Sequence, residues 1–274
     1  RKAGADAALG EYVVCVDGDD WVAENHLENF YSIIQEFSPD IVIGTGGYSC
    51  FPVIYAASKM GIKTIIHESN AYPGKSTRLL SKYADKVLLN CEESKKYFNN
   101  KNKISITGNP FLSGFLKGVQ KGEKGNETVI LCFGGSLGAD KINDCAYSIC
   151  KNILAESKNI RLIWGCGKRE YERCKSLLKD IGVRNVELRD YIDNMPEIIS
   201  IADIVICRSG AMSIAEMSYN KKCTVFIPSP NVTDNHQYKN ARVLSDKNAA
   251  ILVEEKDIDT VIPILSELIV NKEK

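Results

Sequence analysis

Two hydrophobic rhythms share this chain. Short, largely apolar runs, of the length a buried strand needs, alternate with stretches in which apolar positions return with the spacing of one helix face. Lys63–His67, Lys86–Leu89, Val129–Phe133, Arg161–Trp164, Val186–Leu188, Ile204–Cys207 and Thr224–Ile227 are the clearest strand-like runs. Ile41-Val-Ile43 and Ile104-Ser-Ile106 add two more. Phe51–Met60, Ser76–Tyr83, Ala211–Tyr219 and Asp257–Val270 read as helices, with Pro52 in a first turn, where its missing N–H costs nothing. Another helix runs from the Gly134–Ala139 loop to about Leu154. From Thr128 onward strand and helix alternate regularly. Apolar strands each followed by a helix predict an α/β fold with parallel sheets covered on both faces.

Composition narrows the partners. The 274 residues suffice for one large or two modest domains, and 44% hydrophobic content supports a true core. Lys and Arg number 35, as do Asp and Glu, so no basic excess points to nucleic acid. The 10 cysteines are scattered singly, as at Cys15, Cys132 and Cys207, without a CxxC pair or a zinc spacing. That pattern fits buried thiols in a reducing compartment. No apolar run is long enough to span a bilayer, so any membrane contact is expected to be peripheral. The glycine- and charge-rich stretch 117–127 reads as a linker between domains at 39–116 and 128–274. Both ends read as cut: Arg1 opens inside a helix-like pattern, and the last helix reaches Lys274 without a cap.

Candidate chemistry gathers where strands end. Asp203-Ile-Val-Ile-Cys-Arg-Ser-Gly-Ala-Met-Ser-Ile-Ala-Glu216 is a strand, a tight turn at Arg208, Ser209 and Gly210, and a helix from Ala211. Such a turn aims backbone N–H groups at one point, which suits a diphosphate. Glu216, further along the helix, is an acceptor for two ribose hydroxyls, or else a surface residue of an ordinary βα unit. Gly134-Gly-Ser-Leu-Gly-Ala139 offers N–H groups and the Ser136 hydroxyl to a phosphate. It lacks the glycine spacing and the later acid of a dinucleotide site. In Asp234-Asn-His-Gln-Tyr-Lys-Asn240 the amides of Gln237 and Asn240 either meet sugar hydroxyls or cap and solvate a helix start. Gly46 and Gly47 open the backbone after the Ile41 strand to a ligand, or simply form a tight turn. Glu68, Ser69, Asn70, Pro73 and Gly74 crowd the end of the Lys63 strand, where open α/β sheets place ligands. His67 beside them is either a base or a structural imidazole. Near the start, the strand Gly10–Asp17 ends in Asp17, Asp19 and Asp20, a divalent-cation cluster or a solvated acidic turn.

Two resemblances organise these motifs. Residues 1–38, with Gly10-Glu-Tyr and Asp17-Gly-Asp-Asp-Trp21, resemble a fragment of the family 2 glycosyltransferases, whose acidic cluster holds a metal and a nucleotide-sugar diphosphate. From residue 39 the chain carries Pro39-Asp-Ile-Val-Ile-Gly-Thr-Gly-Gly-Tyr48, His67-Glu-Ser-Asn-Ala-Tyr-Pro-Gly74, Thr107-Gly-Asn-Pro110, Gly134–Ala139, Cys207–Glu216 and Asp234–Ala241. In that order they resemble the MurG family of bacterial N-acetylglucosaminyltransferases over 39–274. The resemblance implies a GT-B fold: two Rossmann-like domains with parallel sheets and the active site between them, the N-terminal domain here incomplete. It implies inverting transfer of N-acetylglucosamine from UDP-N-acetylglucosamine to undecaprenyl-diphospho-N-acetylmuramoyl-pentapeptide, in peptidoglycan synthesis. The location implied is peripheral, on the cytoplasmic face of the bacterial plasma membrane, with no cofactor and no metal for donor binding.

For the donor, the resemblance puts Ile192 by the uracil and Glu216 on the ribose. Ser136, Arg208, Ser209, Gly210 and Ala211 face the diphosphate, and His236, Gln237 and Asn240 the sugar. Gly46, Gly47, Tyr48, His67, Glu68 and Asn70 fall on the acceptor and sugar side. The family's G-G-T-G-G-H loop, whose histidine is a candidate base, has no counterpart here, so the catalytic base is unassigned. Leu112 stands where the family has an arginine, and the family's last helix is not found before Lys274. The chain reads as a composite expected to bind donor without measurable transfer. Two alternatives stand beside this: a nucleotide-sugar-binding module without turnover, and a metal-dependent family 2 enzyme using Asp17 and Asp19.

Overall fold

The computed structural model describes residues 26–110, 125–135 and 137–270. The strand expected at Gly10–Asp17, with Asp17 and Asp19, lies outside the described residues, as do Leu112, Ser136 and positions 117–124 of the expected linker. The described chain forms two compact units, one on each side of 111–124.

The first unit runs α1 (His26–Phe37), β1 (Ile41–Gly44), α2 (Cys50–Lys59), β2 (Lys63–Glu68), α3 (Lys75–Leu80), β3 (Lys86–Leu89) and β4 (Ile104–Ile106). Its sheet has the order β1-β2-β3-β4, every pair parallel. Ile34 of α1, Val53 and Ile54 of α2 and Leu80 of α3 close its core over Val42, Ile66, Val87 and Leu89. Helix α2 lies so close to β1 that a Cβ on Gly44 would sit 2.9 Å from Ile54 Cγ1. The β1 run is apolar throughout, but the pleat turns only Val42 and Gly44 inward. Ile41 and Ile43, on the other face, are 45% and 52% exposed, so that face of β1 departs from the expected two-sided burial.

The second unit contains β5 (Thr128–Phe133), α4 (Asp140–Ile149), β6 (Ile160–Gly165), α5 (Tyr171–Ile181), β7 (Val186–Arg189) and α6 (Met195–Ile201). It continues with β8 (Ile204–Cys207), α7 (Ala211–Tyr219), β9 (Cys223–Phe226), α8 (His236–Ser245), β10 (Ile251–Leu252) and α9 (Val261–Val270). Its six strands are parallel in the order β10-β9-β8-β5-β6-β7. The order reverses between β5 and β8. The loops leaving these two neighbours diverge to opposite sides of the sheet, opening a crevice at their C-terminal ends. Trp164, Leu162, Ile130, Ile142 and Ile149 are among the fully buried side chains that hold this unit together.

Two helices end differently from their sequence pattern. The Ser76–Tyr83 pattern is α-helical only over Lys75–Leu80. Its end tightens into three-residue turns, Lys82 N bonding to Leu79 O and Tyr83 N to Leu80 O. The Asp257–Val270 pattern is a 3₁₀ segment, Glu255–Thr260, followed by α9. Pro263 has no N–H, and its ring would clash with the carbonyl four residues back, so the α-helix starts only just before it. The two-residue strand β10 has no counterpart among the sequence-predicted strands.

Candidate functional site

In the second unit the described donor residues among those predicted from sequence lie on loops that leave the C-terminal ends of the strands, or on the helices that follow. Two glycine-rich loops interlock there. Gly138, after β5, has φ +80°, and a Cβ on it would fall 2.2 Å from the Cys166 carbonyl oxygen. Gly167, after β6, has φ +86°, and its Cβ would fall 2.5 Å from the Leu137 carbonyl oxygen. Only glycine allows this approach from both sides. Asn143 of α4 fixes the joint: its Nδ2 donates to Cys166 O at 3.0 Å, and its Oδ1 accepts from Trp164 Nε1 at 2.9 Å. Leu137, at the crest of the first loop, is 84% exposed. Ile192, after β7, is buried over Gly165, where a Cβ would meet its Cδ1 at 2.9 Å.

Across the switch point, β8 turns through Arg208, Ser209 and Gly210 into α7. Gly210 is the extended N-cap of this helix, and its carbonyl accepts the first helical bond, from Ile214 N, at 3.0 Å. The first-turn amides of a helix have no intrahelical acceptor and carry its positive end, which suits an anion. The Ser209 hydroxyl is fully buried and lacks a hydrogen-bond partner among the described residues. Glu216 is half-buried on α7, and burial raises its carboxyl pKa to about 7. Burial also pushes up the pKa of the neighbouring Cys207 thiol, and the Glu216 charge adds to this.

The Arg208 side chain takes a different part from the one expected of it. Its Nη1 donates to Ile227 O and Pro228 O, both at 3.1 Å, and its Nη2 pairs with the Glu255 carboxylate. The backbone of the turn is therefore what can meet a diphosphate there, since the guanidinium is spent inside the protein.

Helix α8 begins after Asp234 and Asn235, both left-handed, at φ 54° and 51°. The His236 Nδ1 lies 2.9 Å from Thr233 O, which can only accept, so Nδ1 is the donor of that pair. The Gln237 Oε1 accepts from Ser229 N at 2.9 Å, which frees its NH₂ to donate elsewhere. Asn240 is buried.

In the first unit the loops after β1, β2 and β4 form the second candidate region. Gly46 and Gly47 have φ +100° and +86°, and Tyr48 beside them is 71% exposed. The Glu68 carboxylate is buried and organises the next loop. Its Oε1 accepts from Asn70 N at 3.0 Å and Asn70 Nδ2 at 3.2 Å, and its Oε2 from Gly74 N at 3.0 Å. His67 Nε2 lies 3.0 Å from Gly108 O, so it is the protonated nitrogen, and Nδ1 faces Ser69 Oγ at 3.4 Å. Both ring nitrogens are occupied by the unit's own loops, the arrangement of a structural imidazole. Asn109 Nδ2 adds a bond to Ser69 O at 3.1 Å, tying the β4 loop to the β2 loop.

Sequence reasoning did not single out Glu255, Asn143 or the Cys166–Gly167 corner. Gly165-Cys-Gly167 following a strand was a legible signal for the corner. Glu255 had no local signal, since its partner stands 47 residues away.

Comparison with known proteins follows this geometry. Residues 129–274 match the glycosyltransferase family 28 C-terminal domain, and residues 21–89 match the glycosyltransferase family 28 N-terminal domain. The N-terminal match thus takes in residues 21–38 as well. The chain is 42% identical over 234 residues to a protein of Halalkalibacterium halodurans, covering 83% of this chain and 64% of that relative. It is 37% identical over 267 residues to one from Desulforamulus reducens, covering 93% and 72%. Both are named UDP-N-acetylglucosamine–N-acetylmuramyl-(pentapeptide) pyrophosphoryl-undecaprenol N-acetylglucosamine transferase. This chain therefore spans about two thirds of the length of these curated relatives. Among solved structures, Acinetobacter baumannii MurG matches with a TM-score of 0.74 at 26% identity, over 93% of this chain and 74% of that one. A Neisseria meningitidis UDP-GlcNAc 2-epimerase bound to UDP-GlcNAc matches with a TM-score of 0.68 over 93% and 76%; its 17% identity speaks to the fold alone. The fold class is GT-B, as the motifs imply.

Proposed function

The chain belongs to glycosyltransferase family 28, and from that premise we propose that it is an inverting N-acetylglucosaminyltransferase. Its donor is UDP-N-acetylglucosamine, and its acceptor is undecaprenyl-diphospho-N-acetylmuramoyl-pentapeptide, the substrates that its relatives' names describe. One observation carries the reading. The interlocked Gly138 and Gly167 and the Ser209–Gly210 entry to α7 sit at the C-terminal ends of β5, β6 and β8, on the two sides of the switch point between β5 and β8. The half-buried Glu216 carboxylate stands on the same helix.

In this reading the diphosphate lies against the loop amides and the N-terminal end of α7, and the ribose hydroxyls donate to Glu216. Ile192 borders the uracil, and His236, Gln237 and Asn240 face the sugar. Gly46, Gly47, Tyr48 and Asn70 serve the acceptor side, with His67 and Glu68 shaping the loops that carry them. Preorganised amides aimed at the diphosphate also stabilise the charge that develops on UDP as it leaves. The work takes place peripherally on the cytoplasmic face of the plasma membrane, where the lipid carrier presents its headgroup; no helix among the described residues is long and apolar enough to cross a membrane.

A second reading is donor binding without transfer. One observation favours it: both nitrogens of His67, a candidate base, are engaged within the first unit. Titration with UDP-N-acetylglucosamine, followed by incubation with a lipid-linked muramyl acceptor, separates the two. Binding with product formation supports the transferase, and binding without product supports the second reading. An absence of donor binding defeats both.

A further inference from the structure

We infer that Arg208 and Glu255 form a positioning pair that holds the diphosphate turn against the segment leading to the sugar-facing helix, and so governs how much the sugar adds to donor binding. The inference rests on the donor-site reading above and goes beyond it, because it assigns a role to two side chains that are engaged with the protein itself.

The geometry is a brace across three strand ends. Arg208 is the first residue after β8 and immediately precedes Ser209 and Gly210. Its Nη1 reaches the carbonyls of Ile227 and Pro228, just beyond β9, at 3.1 Å each. Its Nη2 pairs with Glu255, which opens the 3₁₀ segment shortly after β10. The next residue in the β9 loop, Ser229, has its amide held at 2.9 Å by Gln237 on α8. A continuous path therefore runs from the α7 turn through Arg208, Pro228 and Ser229 to α8, and Glu255 holds the guanidinium in place.

Both side chains are mostly withdrawn from water, at 14% and 18% exposure, so removing one leaves the other charge poorly solvated. A planar guanidinium presents two carbonyls and a carboxylate with donors on separate nitrogens in a fixed fork, whereas the three donors of an ammonium share one nitrogen on a flexible stem. The brace should act mainly on the distance between the diphosphate turn and the sugar end, and little on the uracil side.

Calorimetry with UDP and with UDP-N-acetylglucosamine, alongside urea unfolding, tests the pair. Arg208→Lys and Glu255→Ala are expected to weaken UDP-N-acetylglucosamine by about tenfold and UDP by less than about threefold, the loss of one charge-assisted contact felt at the sugar end. Glu255→Gln keeps an acceptor for the guanidinium and should restore most of the difference, and it serves as the variant least prone to misfold. Equal losses for both ligands, or a lower unfolding midpoint with the ratio unchanged, would overturn the inference in favour of a purely structural ion pair. A wild-type chain that binds neither ligand would overturn the donor-site reading itself, an outcome distinct from a wild type that binds both and variants that keep its ratio.

Discussion

Glu216 shows how one residue's surroundings set its chemistry. A carboxyl on a solvated helix face titrates near 4.5, but burial raises this one to about 7. In the proposed site the ionised form is the one that would accept the two ribose hydroxyls. Donor affinity should therefore rise as pH increases from about 6 to 8 and level off above, by at most about tenfold per unit. Glu216→Gln should flatten that profile, and Glu216→Ala should weaken UDP-N-acetylglucosamine by roughly ten- to a hundredfold, the range of a charge-assisted pair. Calorimetry across pH reads both, and an unaltered affinity in the alanine variant would remove Glu216 from the site. The sign for folding is opposite. Because the folded-state pKa is raised, the protonated folded form has an advantage that is full below about 4.5 and is lost as pH rises through about 7. The glutamine variant should lack that decline in its urea midpoint.

At the scale of elements, the joint between the β5 and β6 loops has no room for a side chain at Gly138 or Gly167. Gly138→Ala would drive a Cβ to 2.2 Å from a backbone oxygen at φ +80°, so either the loop or the β6 corner must move. Gly182, the left-handed cap of α5, has φ +69° with nothing within 4 Å of a built Cβ. Gly182→Ala therefore bears only the left-handed backbone term, about 1–2 kcal/mol. Gly138→Ala adds a backbone clash to it and should exceed about 3 kcal/mol. Urea midpoints rank the two. UDP binding should fail or fall sharply only in the Gly138 variant, because Gly138 and not Gly182 belongs to the proposed diphosphate site; equal behaviour would mean the joint is looser than its geometry indicates.

At the scale of the whole molecule, every described residue of the proposed donor site belongs to the second unit, and that site offers amides, a hydroxyl, an imidazole and one carboxylate. Among the described residues no group of three or more His, Cys, Asp or Glu side chains could hold a metal ion. Donor binding should therefore survive a chelator. A loss of affinity after chelation, restored by a divalent cation, would transfer donor binding to Asp17 and Asp19. The second unit alone, residues 125–274, should bind UDP within a few-fold of the whole chain, and a titration of that fragment checks where the donor site resides.

The sequence by itself determined what depends on neighbours along the chain. Apolar runs such as Ile204–Cys207 form strands because a stretch that short and apolar suits the interior of a parallel sheet, and the helix-spaced stretches between them make those strands parallel. Gly46, Gly47 and Gly138 mark places where φ must be positive, which is a local steric fact. The positions of the loops followed from these elements, and the ordered motifs gave the family. Only the tertiary structure decided what each loop side chain is free to do. Arg208 looks like a phosphate ligand beside Ser209 and Gly210, but Pro228 and Glu255 claim its guanidinium from 20 and 47 residues away. His67 looks like a base, but Gly108, 41 residues on, takes its Nε2–H. Strands whose every residue is apolar reveal that they are buried but not beside what, since hydrophobic burial is non-directional. Hydrogen bonds and desolvation depend on the particular atoms brought together, and in a parallel sheet those atoms come from distant parts of the chain.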